Sequence, residues 1–212
     1  MQGQQAKEAR EGWLHEDEGG GFEELPPAGP VVSITITPKG RCYRVAKDII
    51  GRLARVHPEA SDQEPHITLQ GIYGNADLEL VSASVARVAG ATRPFAVCVT
   101  GVGILASPSN PEMLYLHLHV EKSRELVGLY TALKHTLDAL GLRTYPYSPE
   151  EWIPHLTLAF GRWSRRELHD LLREIGPRLP VCILPADELQ LNRLGVEGRW
   201  QIIERFPFGY TC

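Results

Sequence analysis

Pro65-His66-Ile67-Thr68-Leu69 and Pro154-His155-Leu156-Thr157-Leu158 are near-copies of one another. Each is a short apolar run behind a proline, which reads as a buried strand. Side chains alternate along a strand. His66 and Thr68 therefore share one face, with Ile67 and Leu69 on the other; His155 and Thr157 share a face in the same way, opposite Leu156 and Leu158. Each copy offers a proton carrier and a hydroxyl donor two residues apart. A single His-x-Thr-x arises by chance, and a lone strand histidine is usually a hydrogen-bonded core residue. Two copies 89 residues apart in equivalent settings form a symmetric acid/base pair of the kind that displacement at phosphorus requires.

Outward from these motifs the chain repeats an order of elements. In the first half, Val31–Thr37 reads as a strand rich in β-branched residues. Tyr43–Val56 reads as an amphipathic helix with Ala46, Ile49, Ile50 and Leu53 on one face. His66–Gln70 is the first motif strand. Leu78–Ala89 is a helix with Asp77 as N-cap and Gly90 past its end. Phe95–Leu105 is strand-like, with an interruption expected near Gly101 and Gly103. In the second half, Met113–Val120 alternates Leu114, Leu116, Leu118 and Val120 against Tyr115, His117 and His119. A long helix runs from about Ser123 to Leu140, and Gly141 stops it. His155–Phe160 is the second motif strand. Ser164-Arg165-Arg166-Glu167 is a capping box opening a helix to Ile175. Val181–Leu184, Glu188–Leu194 and Trp200–Phe206 complete the strands. Strand, helix, motif strand, helix, strand thus occurs twice, which predicts a duplicated two-lobe α+β domain with the motif strands facing each other across a cleft.

Composition sets the frame. The chain has 212 residues, 43% of them hydrophobic, long enough for one large domain or two small lobes. No apolar stretch has the length of a membrane span, and no membrane association is expected. Residues 1–29 hold seven acidic and two basic side chains, so the net charge of −4 becomes about +1 without them. They read as a flexible acidic tail with no secretory leader, followed by a single bilobal domain over 30–212. A domain so near neutral does not bind long RNA by bulk electrostatics. Cys42, Cys98, Cys182 and Cys212 form no C-x-x-C pair, and the default expectation is a cytoplasmic, disulfide-free monomer.

Weaker signals surround the motifs. His117 and His119 share a strand face, a spacing that can bind a metal, but no set of Asp, Glu or Cys ligands accompanies them in sequence. Tyr115 lies on the same face and is a candidate substrate contact with His117. The loop Leu142–Pro154 carries Tyr145, Tyr147 and Trp152 just before the second motif. Its aromatics read either as stacking platforms for a nucleobase or as pins for a proline-rich loop. Arg41, Arg44 and Lys47 form either a basic rim or a solvated helix start.

The paired His-x-Thr-x motifs, in this order, spacing and setting, resemble those of the two-histidine (2H) phosphoesterase superfamily, in its LigT-like group. The resemblance spans roughly Val31 to Phe208. It implies an α+β, bilobal duplicated fold, with two antiparallel sheets flanked by helices around a central cleft. It implies metal-independent chemistry without a cofactor, with His66 and His155 catalytic and Thr68 and Thr157 binding the substrate phosphate. The commonest bacterial activities of the family are RNA 2′,3′-cyclic phosphodiesterase and, in reverse, 2′-5′ RNA ligase. The implied partners are RNA ends or small cyclic nucleotides. Many LigT-like members carry a basic residue shortly after the second motif; here Ala159-Phe160-Gly161 follows and Arg162 comes later. Two competing readings stand beside the enzyme: a nucleotide-binding module with little turnover, and a metallohydrolase built on His66, His117, His119 and His155.

Overall fold

A computed structural model describes residues 31–57, 64–107, 110–176, 181–195 and 200–209. The acidic segment expected as a tail lies outside the described residues. In chain order the elements are β1 (Val32–Ile36), α1 (Gly40–Val56), β2 (Ile67–Tyr73), α2 (Leu78–Ala91), β3 (Phe95–Ser107), β4 (Asn110–Val120), α3 (Arg124–Asp138), β5 (Arg143–Thr144), β6 (His155–Gly161), α4 (Arg165–Ile175), β7 (Cys182–Ala186), β8 (Glu188–Leu194) and β9 (Trp200–Pro207).

The helix starts follow local chemistry. The Asp77 carboxylate accepts from the backbone N–H groups of Glu79 and Leu80 at 3.0 and 3.2 Å. Ser123 accepts from Leu126 N at 3.2 Å, so α3 begins one residue after it. Ser164 and Glu167 form the reciprocal capping box predicted from their spacing. The apolar faces of α1 and α3 enter the core through Ala46, Ile49, Ile50 and Leu53, and through Leu126, Tyr130, Leu133 and Leu137.

The strands form one antiparallel sheet in the order β7-β3-β4-β6-β2-β1-β8-β9, with β5 on β2. It is strongly curled. Two separate sheets were the expectation. Instead the halves meet where Ile67 of β2 stands opposite Leu156 of β6, so the hydrogen-bonded ladder is continuous. The helix packing also does not follow the halves of the sequence. The helix α1 packs on β6, β7 and α4, whereas α2 and α3 pack together, α2 on β8 and β9 and α3 on β2. The strand β3 is not interrupted at its glycines; its pairing with β4 shifts between Val99 and Gly101 and then continues.

The expectation of a disulfide-free chain is also corrected. Cys42 on α1 and Cys182 on β7 are joined by a disulfide, with Cα atoms 6.0 Å apart across 140 residues of sequence. No spacing rule reveals such a pair, because it exists only once α1 is laid against β7. The bond removes the cysteine argument for a reducing compartment. Cys98 is free. Among the described residues, no helix is long and apolar enough to cross a membrane.

Candidate active site

The two motif strands lie side by side and antiparallel. Ile67 and Leu156 face each other and are buried in the core. Alternation then puts His66, Thr68, His155 and Thr157 on the opposite, concave face. Continuing the antiparallel register by one residue brings His66 toward Thr157 and Thr68 toward His155. The histidines are thus a diagonal pair, about 7–8 Å apart in a regular ladder and somewhat closer between Cβ atoms. Both pentapeptides show the same burial sequence: buried proline, half-buried histidine, buried aliphatic, half-buried threonine, buried leucine.

The two imidazoles are held in the same way. His66 Nδ1 lies 2.8 Å from the carbonyl oxygen of Glu64, and His155 Nδ1 lies 2.8 Å from that of Ile153. A carbonyl only accepts, so each Nδ1 carries the proton and donates it. This leaves Nε2 of each ring to take or give a proton. The entry to the first motif is braced by α1: the Glu64 carboxylate accepts from Tyr43 Oη at 2.6 Å and pairs with Lys47 Nζ at 3.0 Å. Lys47 therefore serves an ion pair rather than an open basic rim. Burial holds both histidines below their ordinary range. The carbonyl of each opposes that shift, and a charge on His66 pushes His155 down further. An anionic phosphate between them would act the other way.

The walls of the site differ. On one side, β1 pairs with β2, so Thr35 stands opposite Thr68, and the register steps before Ile34 meets Gln70. On the other, β4 pairs with β6, so His117 stands opposite Thr157, and the register steps before Leu116 meets Ala159. Each motif threonine is thus followed by one extra residue, Leu69 or Leu158. The first wall is polar. Asn192 Nδ2 donates to Thr35 Oγ1 at 3.0 Å, and Thr37 Oγ1 donates to Gln190 Oε1 at 2.8 Å. The second wall is aromatic. Tyr115 stands opposite Phe160, with ring centroids 5.9 Å apart. Tyr145 lies 6.0 Å from Tyr73 and 6.1 Å from Tyr147. Burial pushes the Tyr73 phenol up to about 12 and raises those of Tyr145 and Tyr147.

The residues singled out in the sequence therefore separate. His66, Thr68, His155, Thr157, His117 and Tyr115 share the concave face, and Tyr145 and Tyr147 are half-buried beside Tyr73. Trp152 is a correction: it is 4% exposed and stacks on Tyr130 with centroids 4.2 Å apart, so it is core and no stacking platform. His119 stands opposite His155 and is exposed. Among the described residues, no three His, Cys, Asp or Glu side chains converge as a group that could hold a metal ion. Sequence reasoning missed Tyr73 and Phe160. Simple alternation assigns them to the far face, and only the register steps turn them toward the histidines. A groove of about 580 Å³ lined by Arg87, Val88, Phe95 and Leu129 opens between α2 and α3, on other elements than the motif strands.

This geometry has relatives. A profile of the 2′-5′ RNA ligase superfamily matches residues 44–196. The fold is shared with solved structures of low identity. For LigT of E. coli complexed with 3′-AMP the TM-score is 0.61 at 16% identity, covering 86% of this chain and 100% of that one. For TT0787 of Thermus thermophilus it is 0.59 at 17% identity, covering 85% and 99%. A structure described as a phosphoesterase gives 0.58 at 16% identity, covering 86% and 100%. No curated protein sequence matches the chain. With the family profile spanning most of the chain and both His-x-Thr-x motifs on one concave face, the chain belongs to the 2′-5′ RNA ligase superfamily of two-histidine phosphoesterases.

Proposed function

We propose that this chain is a metal-independent phosphodiesterase that opens 2′,3′-cyclic phosphates on RNA ends or small nucleotides, with an RNA 5′-hydroxyl in place of water giving 2′-5′ RNA ligation. The observation that carries the reading is the matched tautomer of the two motif histidines. Each Nδ1 is committed to a carbonyl two residues back, so both Nε2 atoms are available on the concave face. In the reaction, one neutral Nε2 takes a proton from water as the water oxygen bonds to phosphorus. The other, protonated, gives its proton to the ribose oxygen as the P–O bond of the ring breaks. One proton is taken up and one is released, so the pair is restored by exchange with solvent. Thr68 and Thr157 donate to the non-bridging oxygens, where charge grows in the transition state. Buried histidines favour the neutral base, and the bound phosphate raises the pKa of the acid.

The test is turnover by the purified full chain of a panel of 2′,3′-cyclic mononucleotides and RNA oligomers with cyclic ends, with and without EDTA, scored for rate and product isomer. The reading expects hydrolysis to a single phosphomonoester isomer at a rate that EDTA leaves unchanged. Binding without turnover would favour a nucleotide-binding module instead. A rate abolished by EDTA would point to a metal-bound hydroxide.

A further inference from the structure

The two motif strands are near-equivalents, but their neighbours are not. Thr35 stands opposite Thr68, whereas His117 stands opposite Thr157. The Thr35 hydroxyl is engaged by Asn192. His117 is 3% exposed, and its ring centroid lies 5.3 Å from that of His155 at an interplanar angle of 62°. Its Nδ1 is buried and has no hydrogen-bond partner among the described residues. Beneath it on β3 is Gly103, its register partner. A Cβ at Gly103 would meet His117 Nε2 at 2.6 Å and Cε1 at 2.7 Å, far inside contact distance. A glycine weakens a strand interior and often marks a close approach; here the approaching group is an imidazole.

We propose that His117, seated on Gly103, is a positioning residue that fixes the orientation of the His155 imidazole and makes His155 and His66 inequivalent as proton carriers. The proton-carrying part rests on the phosphodiesterase reading above. The Ile153 carbonyl sets the tautomer of His155 through Nδ1, and the edge-on ring of His117 closes another side. His66 has Thr35 in the matching register position, and that hydroxyl is turned to Asn192.

Charge follows from this placement. The groups around His117 are His155 and Thr157 on β6, His119 two residues along β4, and Gly103 on β3. Burial first, then charge on His155 and His119, holds His117 down to about 4, against an opposing pull from the backbone at Leu118. Of this pair, His155 is therefore the ring that takes up a proton first as the pH falls. A neutral imidazole beside His155 favours the cation through its electron-rich face or lone pair. Removing it lowers the pKa of His155 and leaves His66 nearly unchanged.

The experiment is an NMR titration of the histidine ring signals in the full chain, for the native sequence, His117→Leu, Gly103→Ala, and the double variant His117→Ala with Gly103→Ala. The His155 midpoint should fall by roughly half a unit or more in both single variants, with His66 moving little. The double variant should be no worse than the worse single, because the added methyl matters only while the imidazole is there. On a 2′,3′-cyclic mononucleotide, kcat should drop roughly ten- to hundredfold with KM nearly constant. The His66 signal reports that each variant is folded, and Gly103→Ala keeps the imidazole if His117→Leu does not fold. Unchanged His155 titration and unchanged kcat in both single variants would overturn the proposal. A native chain that opens no cyclic phosphodiester, but whose His155 titration responds, would sink the functional reading and leave the positioning role standing.

Discussion

Ile67 of β2 stands opposite Leu156 of β6, and among the described residues this is the register pair that joins the two motif strands. Both side chains are buried, at 0% and 1% exposure. One apolar pair therefore orients two polar ones. While Ile67 and Leu156 point into the core, His66, Thr68, His155 and Thr157 have nowhere to point but the concave face. A one-residue slip of either strand would turn its histidine into the core.

Truncation of either motif histidine should remove a proton carrier without loosening that pair. His66→Ala and His155→Ala are each expected to lower kcat by about 10²–10⁴-fold on a 2′,3′-cyclic mononucleotide. Circular dichroism should report an unchanged fold. A variant that retained near-native kcat would show that its histidine carries no proton in the reaction.

The threonines should matter less and in a different way. Thr68→Ala and Thr157→Ala each remove a donor to developing charge, a loss of roughly 10²-fold in kcat. Thr68→Ser and Thr157→Ser keep the hydroxyl and should recover most of the rate. If serine were as poor as alanine, the methyl group and not the hydrogen bond would be the working part.

Much of this site is legible in the sequence, and the exceptions have a common cause. His66, Thr68, His155 and Thr157 are found by alternation because the register is regular up to each threonine. Beyond Thr68 and Thr157 the register steps by one residue. Alternation then assigns Tyr73 and Phe160 to the wrong face. The duplicated order of elements gives the α+β class, but not which helices pack together or the continuity of the sheet, since both depend on contacts between distant segments. Trp152 has a surface-loop sequence context, and only the packing of Tyr130 behind it shows it to be core. The Cys42–Cys182 pair is invisible for the same reason.

That disulfide should contribute measurably to stability. It closes a loop of 140 residues, and a typical disulfide contributes about 2–4 kcal/mol. Cys42→Ser, or reduction of the native chain, should lower the unfolding free energy by that amount and the denaturant midpoint with it. Alkylation of the denatured, unreduced chain followed by peptide mapping should find Cys42 and Cys182 unmodified. Alkylation at both positions would show that the bond does not form.

Stability should also depend on pH through the buried histidines. His66, His155 and His117 all titrate below the ordinary value of 6.5 in the folded chain. Above pH 6.5 they are neutral in both folded and unfolded states, and the full stability is present. Below it the unfolded chain binds protons first, so stability falls with pH, for His117 until about pH 4. The His117 contribution to that loss is on the order of 3 kcal/mol. Urea unfolding at pH 7.5, 5.5 and 4.5 should show the decline, and His117→Leu should flatten it. A slope identical in the native chain and in His117→Leu would mean that His117 is not held neutral.

The contrast between the two walls gives the last expectation, which concerns substrate orientation. Asn192, Thr35, Thr37 and Gln190 hydrogen-bond among themselves on one side, whereas Tyr115, Phe160, Tyr73 and Tyr145 present rings on the other. A nucleobase offers a flat apolar face and fits the ring side. Stacking of one base is worth about 1–3 kcal/mol, which is about 5- to 150-fold in affinity. Tyr115→Ala should therefore raise KM for nucleoside 2′,3′-cyclic phosphates by a factor in that range. It should leave kcat close to native, because the proton carriers are untouched. For a base-free cyclic phosphodiester such as glycerol 1,2-cyclic phosphate, the same variant should match the native chain in both parameters. Equal losses on the two substrates would place the role of Tyr115 in the packing of β4 against β6, and the base would have to be sought on the polar wall.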